Sequence, residues 1–156
     1  MKAKFVFESI KHLKPKSEEE IRSCLKNLSP KEKLETGAIQ GLFWLVKDAL
    51  DAGADVHASN DYALRWASYN GHLEVVKVLL DAGANVHAGN DSALQWASGN
   101  GHLEVVKVLL RDAGANVHVN DDYALRCASY NGHVEVVKVL LDASADVHAD
   151  NDGALR

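Results

Sequence analysis

The chain is poor in several things, and each shortage excludes something. No stretch approaches the ~18 consecutive apolar residues of a membrane-spanning helix, so no span is expected. There are only two cysteines, Cys24 and Cys127, without metal or disulfide spacing. They fit a reducing compartment, so a cytoplasmic location is expected. The start, MKAKFVFESIKHLKPK, is too charged and too short in its apolar run for a secretory signal. No Gly-rich phosphate loop is present. No nucleophile, base and acid fall together at one place, so neither enzymatic activity nor a cofactor is expected.

Charge of one sign is also scarce where it would matter. Residues 1–33 carry nine Lys and Arg against five Asp and Glu, whereas residues 34–156 carry eight against seventeen. Phosphate binding needs clustered Lys and Arg. The acidic body lacks them, and the basic start is interrupted by Glu18, Glu19 and Glu20. Nucleic acid is therefore not an expected partner.

What is present is repetition. NDYALRWASYNGHLEVVKVLLDAGANVHAG, residues 60–89, recurs over 90–120 and 121–150, and another copy is begun over 151–156. A unit of about 30 residues that recurs in register cannot bury its apolar face alone and must stack on its neighbours. Residues 31–59 read as a degenerate first copy, because Gly41, Lys47 and Ala52-Gly53-Ala54-Asp55-Val56-His57 lie 30 residues before their counterparts. The 156 residues thus make one domain.

Each unit predicts a helix, a turn, a second helix and a β-like loop. Asp61, Asp91 and Asp122 are N-cap candidates for the first helix, about 62–69 in the first full copy. Asn70-Gly71 supplies the left-handed residue that ends it. Leu73, Val76, Leu79 and Leu80, widened by Val75 and Val78, predict a second helix over 73–81 that is buried on more than one side. Ala84-Asn85-Val86-His87 should be an extended segment leading into a tight turn.

Two irregularities stand out. Arg111 is an extra residue, to be absorbed as a helix bulge or a widened cap. Ser144 replaces the helix-ending glycine, which costs roughly 1 kcal/mol if the left-handed conformation is kept.

The N-terminal 30 residues differ. Phe5, Val6, Phe7, Ile10 and Leu13 form an apolar edge, and Pro15 breaks it. Ser17 with Glu20, and Ser29 with Pro30 and Glu32, are capping signals that predict helices over 18–27 and 31–39. Residues 17–28 are expected to cover the first repeat, with Trp44 packing against them. Residues 1–30 are therefore read as a tail and capping helix.

The stretch GHLEVVKVLLDAGANVHA and its near-copies closely resemble the second helix and loop of the ankyrin repeat. The first helices depart from the family, with Tyr62-Ala63-Leu64-Arg65, Ser92-Ala93-Leu94-Gln95 and Tyr123-Ala124-Leu125-Arg126 in place of Thr-Pro-Leu-His. The inter-repeat turn is about three residues shorter than the family's. This variety looks like the short-turn ankyrin arrays of giant DNA viruses of amoebae. The resemblance implies an all-α, ankyrin-type helical solenoid that binds an unidentified protein partner, a host protein if the viral likeness holds. It also implies binding through a concave face made by first helices and turns. Carried over by position, that face holds Asp61, Tyr69 and Asn70; Asp91, Gly99 and Asn100; and Asp122, Tyr130 and Asn131. Arg65, Gln95 and Arg126, standing for the signature His, either bridge adjacent repeats or reach this face. Trp66, Trp96 and Cys127 share a slot that is packed core in the family pattern, with exposed anchors as the alternative. Tyr69 and Tyr130 are binding candidates, because Tyr is favoured in hot spots.

Histidines recur in two registers, His57, His87, His118 and His148, and His72, His102 and His133. A shared metal is not expected. Equivalent residues on stacked helices sit ~8–10 Å apart, whereas zinc ligands each lie ~2 Å from the ion. Hydrogen bonding between loops is the expectation. A structural role is the alternative function, in which an open C-terminal end of the solenoid stacks on a second copy to form a homodimer or array.

Overall fold

The structure, a computed structural model, describes residues 18–149. The apolar edge at 5–13, the Ser17 cap and the partial repeat at 151–156 lie outside the described residues.

Helix α1 spans Glu18–Leu25. A reciprocal cap then opens α2, Pro30–Gln40. The Ser29 hydroxyl accepts the Glu32 N–H at 3.3 Å, and the Glu32 carboxylate accepts the Ser29 N–H at 2.9 Å. Pro30 sits in the first turn, where its missing N–H costs nothing. Gly41 is left-handed and ends α2, and α3 follows as Phe43–Asp51. The next three units repeat this pairing. Their first helices are α4 (Ala58–Tyr69), α6 (Ala88–Gly99) and α8 (Val119–Tyr130). Their second helices are α5 (Leu73–Asp81), α7 (Leu103–Arg111) and α9 (Val134–Asp142).

The helices form two layers. First helices α2, α4, α6 and α8 pack in sequence along one side, and second helices α3, α5, α7 and α9 pack along the other. Small residues let the first helices approach closely: Ala67, Ala97 and Ala128 are wholly buried. Leu64, Leu94 and Leu125 from the first layer meet Leu79, Leu109 and Leu140 from the second in one continuous core. That is the apolar stripe on both sides of the second helices that their sequence predicts. The chain is an all-α helical repeat solenoid.

The N-terminal end is closed by α1. Leu25 and Leu45 are buried together, with Ile21, Leu28, Leu42 and Trp44 packed around them. The Arg22 guanidinium lies 4.0 Å from the centre of the Trp44 ring and reaches Asp48 at 3.5 Å.

Two local expectations are corrected, and a third is decided between its two alternatives. No strand occurs among the described residues. The extended segment is reduced to Ala84 and Asn85, because the Asn85 side chain accepts the His87 N–H at 3.0 Å and folds the chain into a turn. The aspartates are not N-caps. Ser59, Asn60 and Asp61 are all left-handed, with φ of 57, 60 and 51°, and the same run recurs at 89–91 and 120–122. An N-cap needs extended backbone, so the regular part of each first helix begins one residue later. Of the two alternatives for the extra Arg111, a helix bulge or a widened cap, the structure takes the second. α7 keeps the nine residues of α5 and α9, and the cap widens instead. The Ala115 N–H donates to Leu109, one residue further along than the Ala84 bond to Leu79.

Candidate protein-binding face

The left-handed turns are costly on their own, roughly 1–2 kcal/mol for each residue with a Cβ. Asn and Asp tolerate this region best, and they occupy most of these positions. Side chains five and six residues downstream satisfy the turn carbonyls. Arg65 donates from Nε to the Asn60 carbonyl at 2.9 Å and from a terminal nitrogen to Ser59 at 3.1 Å. Gln95 donates to Asn90 at 2.6 Å, and Arg126 to Asn120 at 3.4 Å. The residues that stand for the family's signature His therefore hold their own turn. Arg65 also does more, because its guanidinium lies 5.6 Å from the Trp96 ring of the next repeat.

Asp61, Asp91 and Asp122 are only 4% exposed, so their placement among partner-contacting residues is corrected. Each carboxylate is taken up inside the array. Asp91 Oδ1 lies 3.0 Å from His87 Nδ1 and accepts the Asn116 N–H of the following loop at 2.9 Å. Asp61 does the same with His57 and Asn85, and Asp122 with His118 and Asp146. A buried carboxylate needs such donors, and here they come from two consecutive loops. The second histidine register links repeats too. His72, His102 and His133 place Nε2 within 3.1, 2.9 and 3.0 Å of the carbonyls of Ile39, Tyr69 and Gly99. Among the described residues, no group of three His, Cys, Asp or Glu is placed to hold a metal ion.

The open part of the first-helix layer is aromatic. Trp66 packs edge-on against Tyr69, with ring centres 5.2 Å apart, and against Trp96 at 5.9 Å. Tyr69 meets Trp96 nearly perpendicularly at 5.9 Å, and Tyr62 joins at 5.8 Å from Trp66. Edge-to-face contacts of this kind hold rings in fixed positions. Trp66 and Trp96 are half-buried, Tyr69 is 41% exposed and Tyr130 is 89% exposed. The Trp slot is thus both inter-repeat packing and open surface. Burial raises the Tyr62 hydroxyl pKa, Glu35 adds to the rise, and Arg65 partly offsets it.

Cys127 ends the aromatic row. Its side chain, one helical turn from Tyr123, raises that phenol's pKa above its ordinary value, with burial adding and Arg126 opposing. Both cysteines are free.

The asparagines Asn70, Asn100 and Asn131 follow the C-terminal ends of the first helices. Asn70 and Asn100 are tied to the carbonyls of Trp66 and Trp96 in their own helices, at 2.9 and 2.8 Å. Asn131 instead reaches Gly99 in the preceding repeat, at 2.9 Å. Asn100 and Asn131 are exposed, and Asn70 is half-buried, as are Arg65 and Arg126. Of the residues picked from sequence, the fold gathers Tyr69 and Arg65 into one cluster and sets Tyr130 apart, beyond Gly99. Tyr62 was missed. The signal was available, since Tyr62 lies one helical turn before Trp66 on the same face.

These paired helices, stacked layers and recurring loops are matched by family profiles. A profile described as ankyrin repeats (3 copies) matches residues 34–121, and a profile described as ankyrin repeat matches residues 120–152. The chain belongs to the ankyrin repeat family. No curated protein matches it. Ankyrin repeats mediate protein–protein interaction and are typically non-catalytic. In this ankyrin protein, no described helix is long and apolar enough to cross a membrane.

Proposed function

We propose that the chain is a non-catalytic module that binds a partner protein on its first-helix face, the concave face of ankyrin arrays. One observation carries this reading: the Tyr62–Trp66–Tyr69–Trp96 cluster is locked by its own ring contacts yet leaves Tyr69 substantially open. A rigid aromatic surface loses little side-chain entropy on association, and Tyr and Trp are favoured where binding energy concentrates. Tyr69, Tyr130, Asn100 and Asn131 are the open contact residues, and Arg65 and Arg126 border them. The resemblance to giant-virus arrays makes a host protein the expected class of partner.

The test is capture from a cell lysate by the native chain beside the Tyr69→Ala/Tyr130→Ala double variant, read by mass spectrometry. A protein retained by the native chain and lost by the variant supports the face. Equal capture by both moves the site elsewhere on the array.

Self-association is a second reading, and a specific observation favours it. On α9, Val134 is 60% exposed and Leu141 is 38% exposed, whereas their counterparts Leu103 and Leu110 on α7 are half-buried. A monomer at high concentration in light scattering would remove this reading. A dimer abolished by Leu141→Asp, with the Tyr69/Tyr130 face still competent, would support it.

A further inference from the structure

Each of the three full repeats ends its first helix with Asn-Gly, at 70–71, 100–101 and 131–132. The glycine is imposed by the fold. Gly71 and Gly101 have φ of 75 and 76°, and a Cβ on either would overlap the ring of the next repeat's histidine, His102 or His133. An Asn followed by Gly is chemically labile, because no side chain shields the Gly nitrogen from the Asn side-chain carbonyl carbon. Two of the three copies have the same local sequence, Ser-Tyr-Asn-Gly-His, at 68–72 and 129–133. Any difference between them comes from structure.

The two sites do differ. Over Gly71 lies the His102 ring, anchored to the Tyr69 carbonyl at 2.9 Å. Over Gly132, nothing among the described residues comes within 4 Å of a Cβ. Asn70 is half-buried, whereas Asn131 is exposed. The Asn70 amide closes its own helix end, while the Asn131 amide leaves its helix and reaches across to Gly99. In both copies the Gly N–H is held by a Ser carbonyl, at 3.2 Å for Gly71 and 3.1 Å for Gly132. Reaction therefore requires the cap to open, and local opening is cheapest where the fewest groups cover it.

We propose that Asn131 is a site of spontaneous deamidation, set apart from its sequence twin Asn70 by its exposure and by the lack of any cover over Gly132 among the described residues. When the cap opens, the Gly132 nitrogen gives its proton to solvent and bonds to Asn131 Cγ. The bond from Cγ to the side-chain nitrogen breaks, and that nitrogen leaves as ammonia. Water then opens the resulting succinimide at either carbonyl, leaving aspartate or isoaspartate. The product loses the donor that ties α8 to Gly99. It also puts a negative charge at the C-terminal end of α8, where the helix dipole disfavours it. The modification acts as a slow, irreversible loosening of the last described repeat. It does not depend on the proposed partner.

The experiment holds the full-length chain in warm, mildly alkaline buffer and follows the three Asn-Gly peptides by mass spectrometry. In the folded chain Asn131 is expected to convert at least about tenfold faster than Asn70, reflecting easier local opening. In denaturant, where the two share one local sequence, their rates should coincide. His102→Ala removes the cover over Gly71 and should raise the Asn70 rate toward that of Asn131. Equal rates in the folded native chain, or a faster Asn70, would overturn the proposal, whether or not the His102 variant folds. So would a folded Asn131 that stays intact while the denatured chain converts.

Discussion

The two ends of the described array are built from the same repeat and finished differently. At the N-terminal end, α1 lays Leu25 on Leu45, Arg22 covers Trp44, and Ser29 with Glu32 caps α2. At the other end, Val134 and Leu141 stay open, Tyr130 is 89% exposed, and Ser144 takes a left-handed φ of 73° where sister repeats have glycine. A solenoid's stability is approximately a sum of repeat terms and nearest-neighbour terms. The first repeat receives a neighbour term from a non-repeat helix, and the last described repeat carries an unfavourable backbone term. The lesson is that identical sequence motifs do not have identical stability, since each is completed by what stacks on it.

The comparison can be broken or sharpened in order of effect. Leu25→Ala removes the contact that closes the first repeat. It should lower unfolding free energy by about 2–5 kcal/mol in urea titration. A loss below ~1 kcal/mol would mean that α1 contributes little. In the middle of the array, Asp91→Ala leaves the Asn116 N–H without its acceptor and His87 without its partner. A cost of about 1–3 kcal/mol is expected from the part-buried donors left without an acceptor. Asp91→Asn, which keeps an acceptor, should cost less.

Two glycines then separate interior from end. Gly101→Ala places a Cβ 2.6 Å from His133 Nδ1 at a left-handed position, whereas Gly132→Ala meets only the backbone penalty among the described residues. The second should cost roughly 1–2 kcal/mol and the first distinctly more, both read by thermal unfolding. Equal costs would show that the histidine ring moves aside freely. Ser144→Gly relieves the left-handed serine and should stabilise the chain by roughly 1 kcal/mol, with slower amide exchange in α9. The smallest effect is expected at Ser98, whose hydroxyl is wholly buried without a hydrogen-bond partner. Ser98→Ala should be neutral or stabilising by up to about 1 kcal/mol. The first repeat already carries alanine, Ala38, at the matching position.

Much of the fold was legible because its signals are local. The second helix expected over 73–81 is Leu73–Asp81. The second capping signal opens α2 where Ser29 and Glu32 place it, and Gly71 is left-handed as its position after Asn70 requires. The candidate face was legible in part. Tyr69 and Tyr130 are open, but Asp61, Asp91 and Asp122 are buried, and Tyr62 was overlooked. The aspartates were misread because an acidic residue before a helix has an ordinary local role as an N-cap, and nothing local contradicts it.

The sequence by itself determined the repeat, the helix pairs, their apolar sides and the family. These depend on periodicity and on residues within one turn of each other. Tertiary structure alone decided what the polar side chains do. Asp91 accepts from a backbone N–H 25 residues away, and His102 reaches a carbonyl 33 residues away. Arg65 spans from its own turn to the next repeat's Trp96. Such partners meet only when repeats stack, and stacking distance is set by the buried alanines and leucines rather than by the polar residues it brings together.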